Sequence, residues 1–254
     1  MSISPRLTRR ALLSSCAAAL AAPALLRPAE AQQIARRFTA EVPDTITRVD
    51  TTQPVVAMTF DDGPHPTLTP QLLDILAARG IPATFFTIGW RVAQFPQLVQ
   101  RMALEGHEIG NHTWSHPSLF GYSDAGILDQ LDRTSQAIVE AVGHPPATMR
   151  PPYGNLYPRQ RRMIMEARSM PTVLWSVDPE DWRRPGASVV AERIVSHSHP
   201  GAVILSHDIV GPTIRAMPAA LDGLIARGYR FVTLSELIGW PRWGSGPLRL
   251  ARNG

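Results

Sequence analysis

Thr59-Phe60-Asp61-Asp62-Gly63-Pro64 sets two carboxylates side by side where the apolar run Val55, Val56, Ala57, Met58 and Phe60 stops. Ionised neighbours repel, and a fold keeps such a pair most readily when a cation or a hydrogen-bonding group holds each one. About fifty residues on, His112-Thr113-Trp114-Ser115-His116 supplies two imidazoles four positions apart, which share one face if that segment is helical. One carboxylate with two histidines leaves open positions on a divalent metal, the arrangement of a catalytic rather than a structural centre. Each piece alone has an ordinary explanation: the aspartates could cap a turn, and the histidines could be surface or core residues. Asp178, just before Pro179, reads as a turn cap more than as a reactive group.

These residues need elements to position them. From residue 55 onward, short apolar runs alternate with longer segments of helical spacing. Strands are expected at Val55 to Phe60, Thr84 to Ile88, Glu108 to Asn111, Thr148 to Arg150, Thr172 to Val177, Ala202 to Leu205 and Arg230 to Thr233. The intervening helices have recognisable ends. Thr69 is the expected cap before Pro70 and Ser123 that of the next long helix, while Gly80, Gly143 and Gly228 stand where helices stop. Strands joined by helices form parallel sheets. Asp61-Asp62, His112, Arg150, Asp178 and His207 each stand at or just after the end of an expected strand, and a closed barrel gathers all those carboxyl ends around one mouth. The expectation is an α/β fold, a distorted or incomplete (β/α) barrel of about seven strand-helix units.

Composition narrows the chemistry. The 254-residue chain has no lysine, which excludes Schiff-base catalysis and a Walker loop, and no Gly-x-Ser-x-Gly elbow to suggest a serine hydrolase. Residues 1–31 read as an export signal. Arg9 and Arg10 precede the apolar stretch Ala11 to Leu26, and Pro28-Ala29-Glu30-Ala31 offers small residues for cleavage. Thr8-Arg9-Arg10-Ala11-Leu12-Leu13 also resembles a twin-arginine signal, so either export route is open. Pro23 and the alanine content argue against a retained membrane span. Cys16, the only cysteine, falls inside this segment, leaving a mature chain without thiol or disulfide. Removing the segment takes the net charge from +4 to +1, which offers no field or basic stripe for nucleic acid. Residues 32–50 are expected to be a lead segment, 51–240 the domain and 241–254 a C-terminal tail.

Five pieces now stand in order: Thr59-Phe60-Asp61-Asp62-Gly63-Pro64, His112-Thr113-Trp114-Ser115-His116, Arg150-Pro151-Pro152-Tyr153, Asp178-Pro179-Glu180-Asp181-Trp182 and Leu205-Ser206-His207-Asp208. In this order and spacing they resemble all five motifs of the polysaccharide deacetylases, the family sharing the NodB homology domain (carbohydrate esterase family 4). The resemblance covers roughly residues 50–240. It implies metal-dependent removal of an acetyl group, usually from the nitrogen of N-acetylglucosamine in chitin-like or peptidoglycan chains, on a distorted barrel.

By that resemblance Asp62, His112 and His116 match the metal ligands, with zinc the expected ion and cobalt or another divalent ion an alternative. Asp61 matches the base that takes a proton from water on that metal, and His207 the acid that protonates the departing amine. Asp181 matches the carboxylate set beside that histidine, and Arg150 the partner of the base. Tyr153 would offer its backbone N–H to the oxyanion, while Trp182 and Leu205 would line a pocket for the acetyl methyl. Two other functions are compatible with the motifs: the same fold acting on an acetyl ester of xylan or on a small-molecule amide, and a glycan-binding protein without activity. Intact Asp61, His207 and Arg150 argue against the last, since binding alone needs neither base nor acid. The expected protein is an exported monomer, periplasmic or secreted, with a glycan as its partner.

Overall fold

The computed structural model describes residues 43–244. The export-signal reading of residues 1–31, with Cys16, therefore lies outside the described residues, as does the tail beyond Gly244. The centre of the fold is β2 (Val55–Asp61), buried along nearly its whole length, as expected of a parallel strand covered on both faces. It pairs in parallel with β3 (Thr84–Thr87), β6 (Ala202–Ile204) and β7 (Arg230–Phe231), and β3 pairs in parallel with β4 (Glu108–Asn111). A second, two-stranded parallel sheet joins β1 (Thr45–Ile46) to β5 (Thr172–Val173). Single bridges at Asn111–Met149, Met149–Thr172 and Val177–Ile204 carry the circuit from β4 back towards β6. The sheet is not closed by continuous ladders, and the barrel is accordingly distorted and incomplete.

Side-chain parity along β2 decides what faces where. Val56, Met58 and Phe60 belong to the large core beneath the helices, with Leu72, Leu76, Phe85, Ile138 and Leu221, whereas Ala57 joins the inner cluster of Phe86, Val173, Val203 and Leu234. A period of two then puts Thr59 and Asp61 on the inner side with Ala57. Each of the large side chains buried here contributes about 1.5–3 kcal/mol.

The helices are Leu68–Ala77, Gly89–Gln94, Pro96–Leu104, Asp124–Val142, Pro158–Arg168, Ala187–His197, Gly211–Ala226 and Leu234–Leu237. Ser123 caps its helix by accepting the Gly126 N–H at 3.1 Å, and Gly143 ends it at φ +76°, a conformation glycine adopts freely. Thr69, expected as a cap, lies inside its helix. His65 does that work instead, its Nδ1 accepting from the Thr67 and Leu68 N–H groups at 3.2 Å each.

Other expectations also need correction. Thr148 to Arg150 forms no strand but only two isolated bridges, both at Met149, because prolines at 145, 146, 151 and 152 leave few N–H groups for a ladder. Thr172 to Val177 shortens to two residues, and the carbonyls of Val173 and Leu174 accept from the Arg150 guanidinium. The segment holding His112 and His116 is a loop rather than a helix. Thr45–Ile46, within the expected lead segment, form β1, and beyond residue 240 the Trp243 indole N–H donates to the Pro145 carbonyl at 2.9 Å. Among the described residues, no helix is long and apolar enough to cross a membrane.

At the start of β4 the wholly buried Glu108 accepts the Ser235 N–H at 2.7 Å and the Ser235 hydroxyl at 2.9 Å, tying the last helix to the barrel. Burial pushes its carboxyl up to about 7, with the Ser235 bonds offsetting only part of the effect. A folded pKa above the unfolded one means that the stabilisation is complete below the ordinary carboxylate range and is lost as pH rises through about 7. Thermal unfolding of Glu108→Gln is therefore expected to depend less on pH across that window than the wild type. Identical slopes would contradict this account.

Candidate active site

β2 delivers Asp61 and Asp62 in different directions. Asp61 ends the strand on the inner side, and Asp62 leaves it at φ +76°, in the left-handed region. Gly63 comes next because nothing larger fits: a Cβ there would fall 2.2–2.6 Å from the Asp208 carboxylate. Thr113, His116, Tyr153 and Glu180 also adopt positive φ, and such strain, about 1–3 kcal/mol each, persists only where the surroundings over-determine the backbone.

The surroundings here are specific. Past the end of β4, the Asn111 side-chain oxygen accepts the Thr113 N–H at 2.9 Å while its nitrogen donates to the Leu131 carbonyl at 2.8 Å. From the helix Asp124–Val142, the Gln130 amide oxygen accepts the N–H groups of Trp114 and Ser115, both at 3.0 Å. The Thr113 hydroxyl accepts the His116 N–H at 3.1 Å. Three polar side chains thus fold the loop so that two imidazoles face Asp62, with ring centroids 4.9 Å apart.

Asp62 Oδ1 lies 3.3 Å from His112 Nε2 and 3.1 Å from His116 Nε2. One donor atom from each residue fits within a 4.8 Å cluster, a size one metal ion can span. His112 Nδ1 sits 2.7 Å from the Arg150 carbonyl, which can only accept; Nδ1 therefore carries a hydrogen, and Nε2 is the ring atom turned to Asp62. Asp62 Oδ1 is buried with no hydrogen-bond partner. Burial alone would raise the Asp62 pKa, but the two imidazoles outweigh it and hold the carboxyl well below the usual range. Burial likewise opposes charge on His112, yet Asp61 and Asp62 raise its pKa. An orphaned carboxylate oxygen, two imidazole nitrogens and a local demand for positive charge fit a divalent cation.

Asp61 is held from the other side. Arg150, fully buried, donates to Asp61 Oδ1 at 2.7 Å and to the Thr59 hydroxyl at 2.8 Å. Its remaining nitrogens bond the Val173 and Leu174 carbonyls, and its Cζ lies 4.2 Å from the centre of the Phe86 ring. Asp61 Oδ2 remains directed toward the cluster, 3.8 Å from His112 Nε2.

Across the mouth, His207 forms a backbone bridge with Asp61. Its Nδ1 lies 2.7 Å from Asp181 Oδ1, and Asp181 Oδ2 accepts both the His207 N–H at 2.8 Å and the Thr213 hydroxyl at 2.7 Å. Burial disfavours the charged imidazole, but the Asp181 carboxylate, helped by Asp61 and Asp62, pushes the His207 pKa up to about 9. Trp182 stands next to Asp181 on the same short turn and is 51% exposed, while Leu205 is buried two residues before His207. Tyr153 lies on the cluster side, its exposed ring 4.8 Å from that of His116. Asp178 caps its turn by accepting the Glu180 N–H at 2.7 Å.

The sequence reading missed Thr59, Asn111, Gln130 and Thr213 as partners of the site. Thr59 and Asn111 had a signal, since each stands one or two residues before a motif residue on a strand. Gln130 and Thr213 lie within helices, and only the fold brings them near. Asp208 accepts from the Thr69 hydroxyl, and burial pushes its carboxyl up to about 7.

A parallel α/β barrel with an Asp-His-His cluster, an arginine-held carboxylate and a carboxylate-backed histidine at one mouth describes a class of hydrolytic site, and comparison with known proteins gives the family. The polysaccharide deacetylase family model matches residues 48–173, a stretch that ends before Asp181 and His207. A peptidoglycan-N-acetylglucosamine deacetylase, PgdA, of Listeria monocytogenes is 40% identical over 184 residues, covering 72% of this chain and 39% of that protein. A chitooligosaccharide deacetylase of a Bradyrhizobium species is 38% identical over 197 residues, covering 72% of this chain and 90% of that one. The crystal structure of the Bc1960 peptidoglycan N-acetylglucosamine deacetylase superposes with a TM-score of 0.76 at 33% identity, covering 79% of this chain and 95% of that one. The chain belongs to the polysaccharide deacetylase family. It spans well under half the length of the Listeria relative.

Proposed function

We propose that this chain removes the N-acetyl group from N-acetylglucosamine units of chitin-like oligosaccharides or peptidoglycan, with a divalent cation, zinc for preference, on Asp62, His112 and His116. One observation carries the reading: the arginine-held carboxylate of Asp61 lies between a three-donor cation site and the imidazole of His207. A cation there supplies Lewis acidity toward the acetyl carbonyl and lowers the pKa of water beside it.

The chain's own groups do the rest. Asp61 accepts the attacking water's proton at Oδ2, the oxygen that Arg150 leaves free, and Arg150 orients Asp61 by donating to Oδ1. His207 gives the proton on Nε2 to the departing nitrogen as the carbon–nitrogen bond breaks, leaving acetate and a free amine. Asp181 fixes Nδ1–H and keeps the imidazole protonated at neutral pH. The Tyr153 backbone N–H is assigned to the oxyanion, and Trp182 and Leu205 to the acetyl methyl. An export signal at residues 1–31 suits a glycan substrate outside the cytoplasm.

Acetyl esters of xylan and small-molecule amides form the second reading. A protonated His207 favours the amide, because an amine leaves poorly without a proton. Acetate release from a panel of chitooligosaccharides, peptidoglycan fragments and acetylated xylan tests the assignment. Turnover of the first two is expected, and turnover of the xylan ester alone would overturn it.

Activity should also decline as pH rises through about 9, where His207 loses its proton. Asp181→Asn removes the charge that opposes burial, so the alkaline limb of the profile is expected to move to lower pH. A limb that stays in place would show that His207 is not the group it reports.

A further inference from the structure

The rim of the site carries aromatic surface used by neither the cation cluster nor the acid and base. Phe120 and Tyr157 are 45% and 54% exposed, and their ring centroids lie 4.7 Å apart. Each stands directly after a buried leucine. Leu119 and Leu156 pack in one core cluster with Ile127, Met149 and Ile164, so the next residue on each loop is pinned beside the other on the surface. Arg159 and Asp124, on the next helix after each loop, join those helices through two hydrogen bonds of 2.8 Å.

The same two loops carry the site. His116 and Tyr153, whose rings are in contact, each stand four residues before Phe120 and Tyr157 respectively. Four residues reach at most about 13–14 Å, within the length of a short oligosaccharide. Tyr157 also occupies the N-cap of the helix Pro158–Arg168, a position where Ser, Thr, Asp or Asn is favoured, and the Gln160 amide oxygen accepts the Tyr157 N–H there at 3.0 Å. A residue type that helix stability does not call for, exposed beside the mouth, points to a ligand.

We propose that the Phe120–Tyr157 pair is a stacking platform for a hexose ring of the glycan, an outlying subsite that gives longer chains an advantage. Pyranose faces present C–H groups to aromatic rings while their hydroxyls stay in water, which suits a half-exposed pair. This rests on the deacetylation of glycans proposed above.

The test compares kcat/KM of wild type, Phe120→Ala, Tyr157→Ser and the double variant on N-acetylated chitooligosaccharides from dimer to hexamer. The wild type is expected to favour the longer chains. Each variant should lose about threefold to tenfold on the hexamer and little on the dimer. Tyr157→Ser should keep its melting temperature, since serine caps better than tyrosine. Equal losses at every length, an unchanged length profile, or a changed oligomeric state with that profile intact would each overturn the proposal. If the wild type released no acetate at any length, the deacetylation reading itself would fall. Hexamer binding by calorimetry would then decide the platform alone: weaker binding by the double variant supports it, and equal binding refutes it.

Discussion

Asp61→Asn is expected to keep the wild-type metal content and to lose turnover by about two to four orders of magnitude, the usual contribution of a positioned general base. The amide has the size of the carboxylate and can still accept from Arg150, but it has no basic oxygen to take a proton from water. Asp62, His112 and His116 are untouched, so the cation site should fill as before. The substitution also leaves the Arg150 guanidinium fully buried without its counter-charge, and breaking such a pair costs about 3–5 kcal/mol. A lower melting temperature should therefore accompany the kinetic defect. Kinetics measured well below that temperature, with elemental analysis of the same sample, separate the two effects. Full activity in this variant would refute the assignment of the base.

His112→Ala should behave differently, losing metal and activity together. His112 is nearly inaccessible to solvent, and its Nδ1 is locked on the Arg150 carbonyl, so its Nε2 is aimed before any ligand arrives. Removing it leaves two donors of three, and it also opens a cavity against the backbone of the residue that holds Asp61. Elemental analysis should find the variant depleted of metal under conditions that saturate Asp61→Asn. A His112→Ala protein that retained stoichiometric metal would show that the cation does not rest on this imidazole.

The two variants draw on parts of the site that were unequally legible in the sequence. Asp61, Asp62, His112 and His116 were visible by residue type, because adjacent carboxylates and paired imidazoles demand a shared explanation. The parity of β2 separates the roles of the two aspartates: Ala57, Thr59 and Asp61 face inward, and Asp62 turns out of the strand. The four-residue spacing of the histidines fits a helix, yet the segment joining them is a loop. Gln130 and Asn111 override that spacing, holding the loop with side-chain bonds that no local pattern announces.

Arg150 illustrates the same limit in the fold. By consuming the carbonyls of Val173 and Leu174 it takes hydrogen-bonding capacity from a segment whose composition reads as a long strand. Long apolar β2 was legible almost to the residue, whereas β1 is two residues in a polar stretch and depends wholly on its partner β5. Periodicity reports burial, and it fails where a strand is short or where a side chain replaces a backbone partner.

The central claim is that Asp62, His112 and His116 hold a cation on which acetate release depends. Its most direct test is acetate release from an N-acetylated chitooligosaccharide before chelation, after exhaustive chelation and after zinc is restored, with metal content measured at each stage. Activity should vanish with the metal and return at one ion per chain. Undiminished release from protein shown to be free of metal would contradict the account.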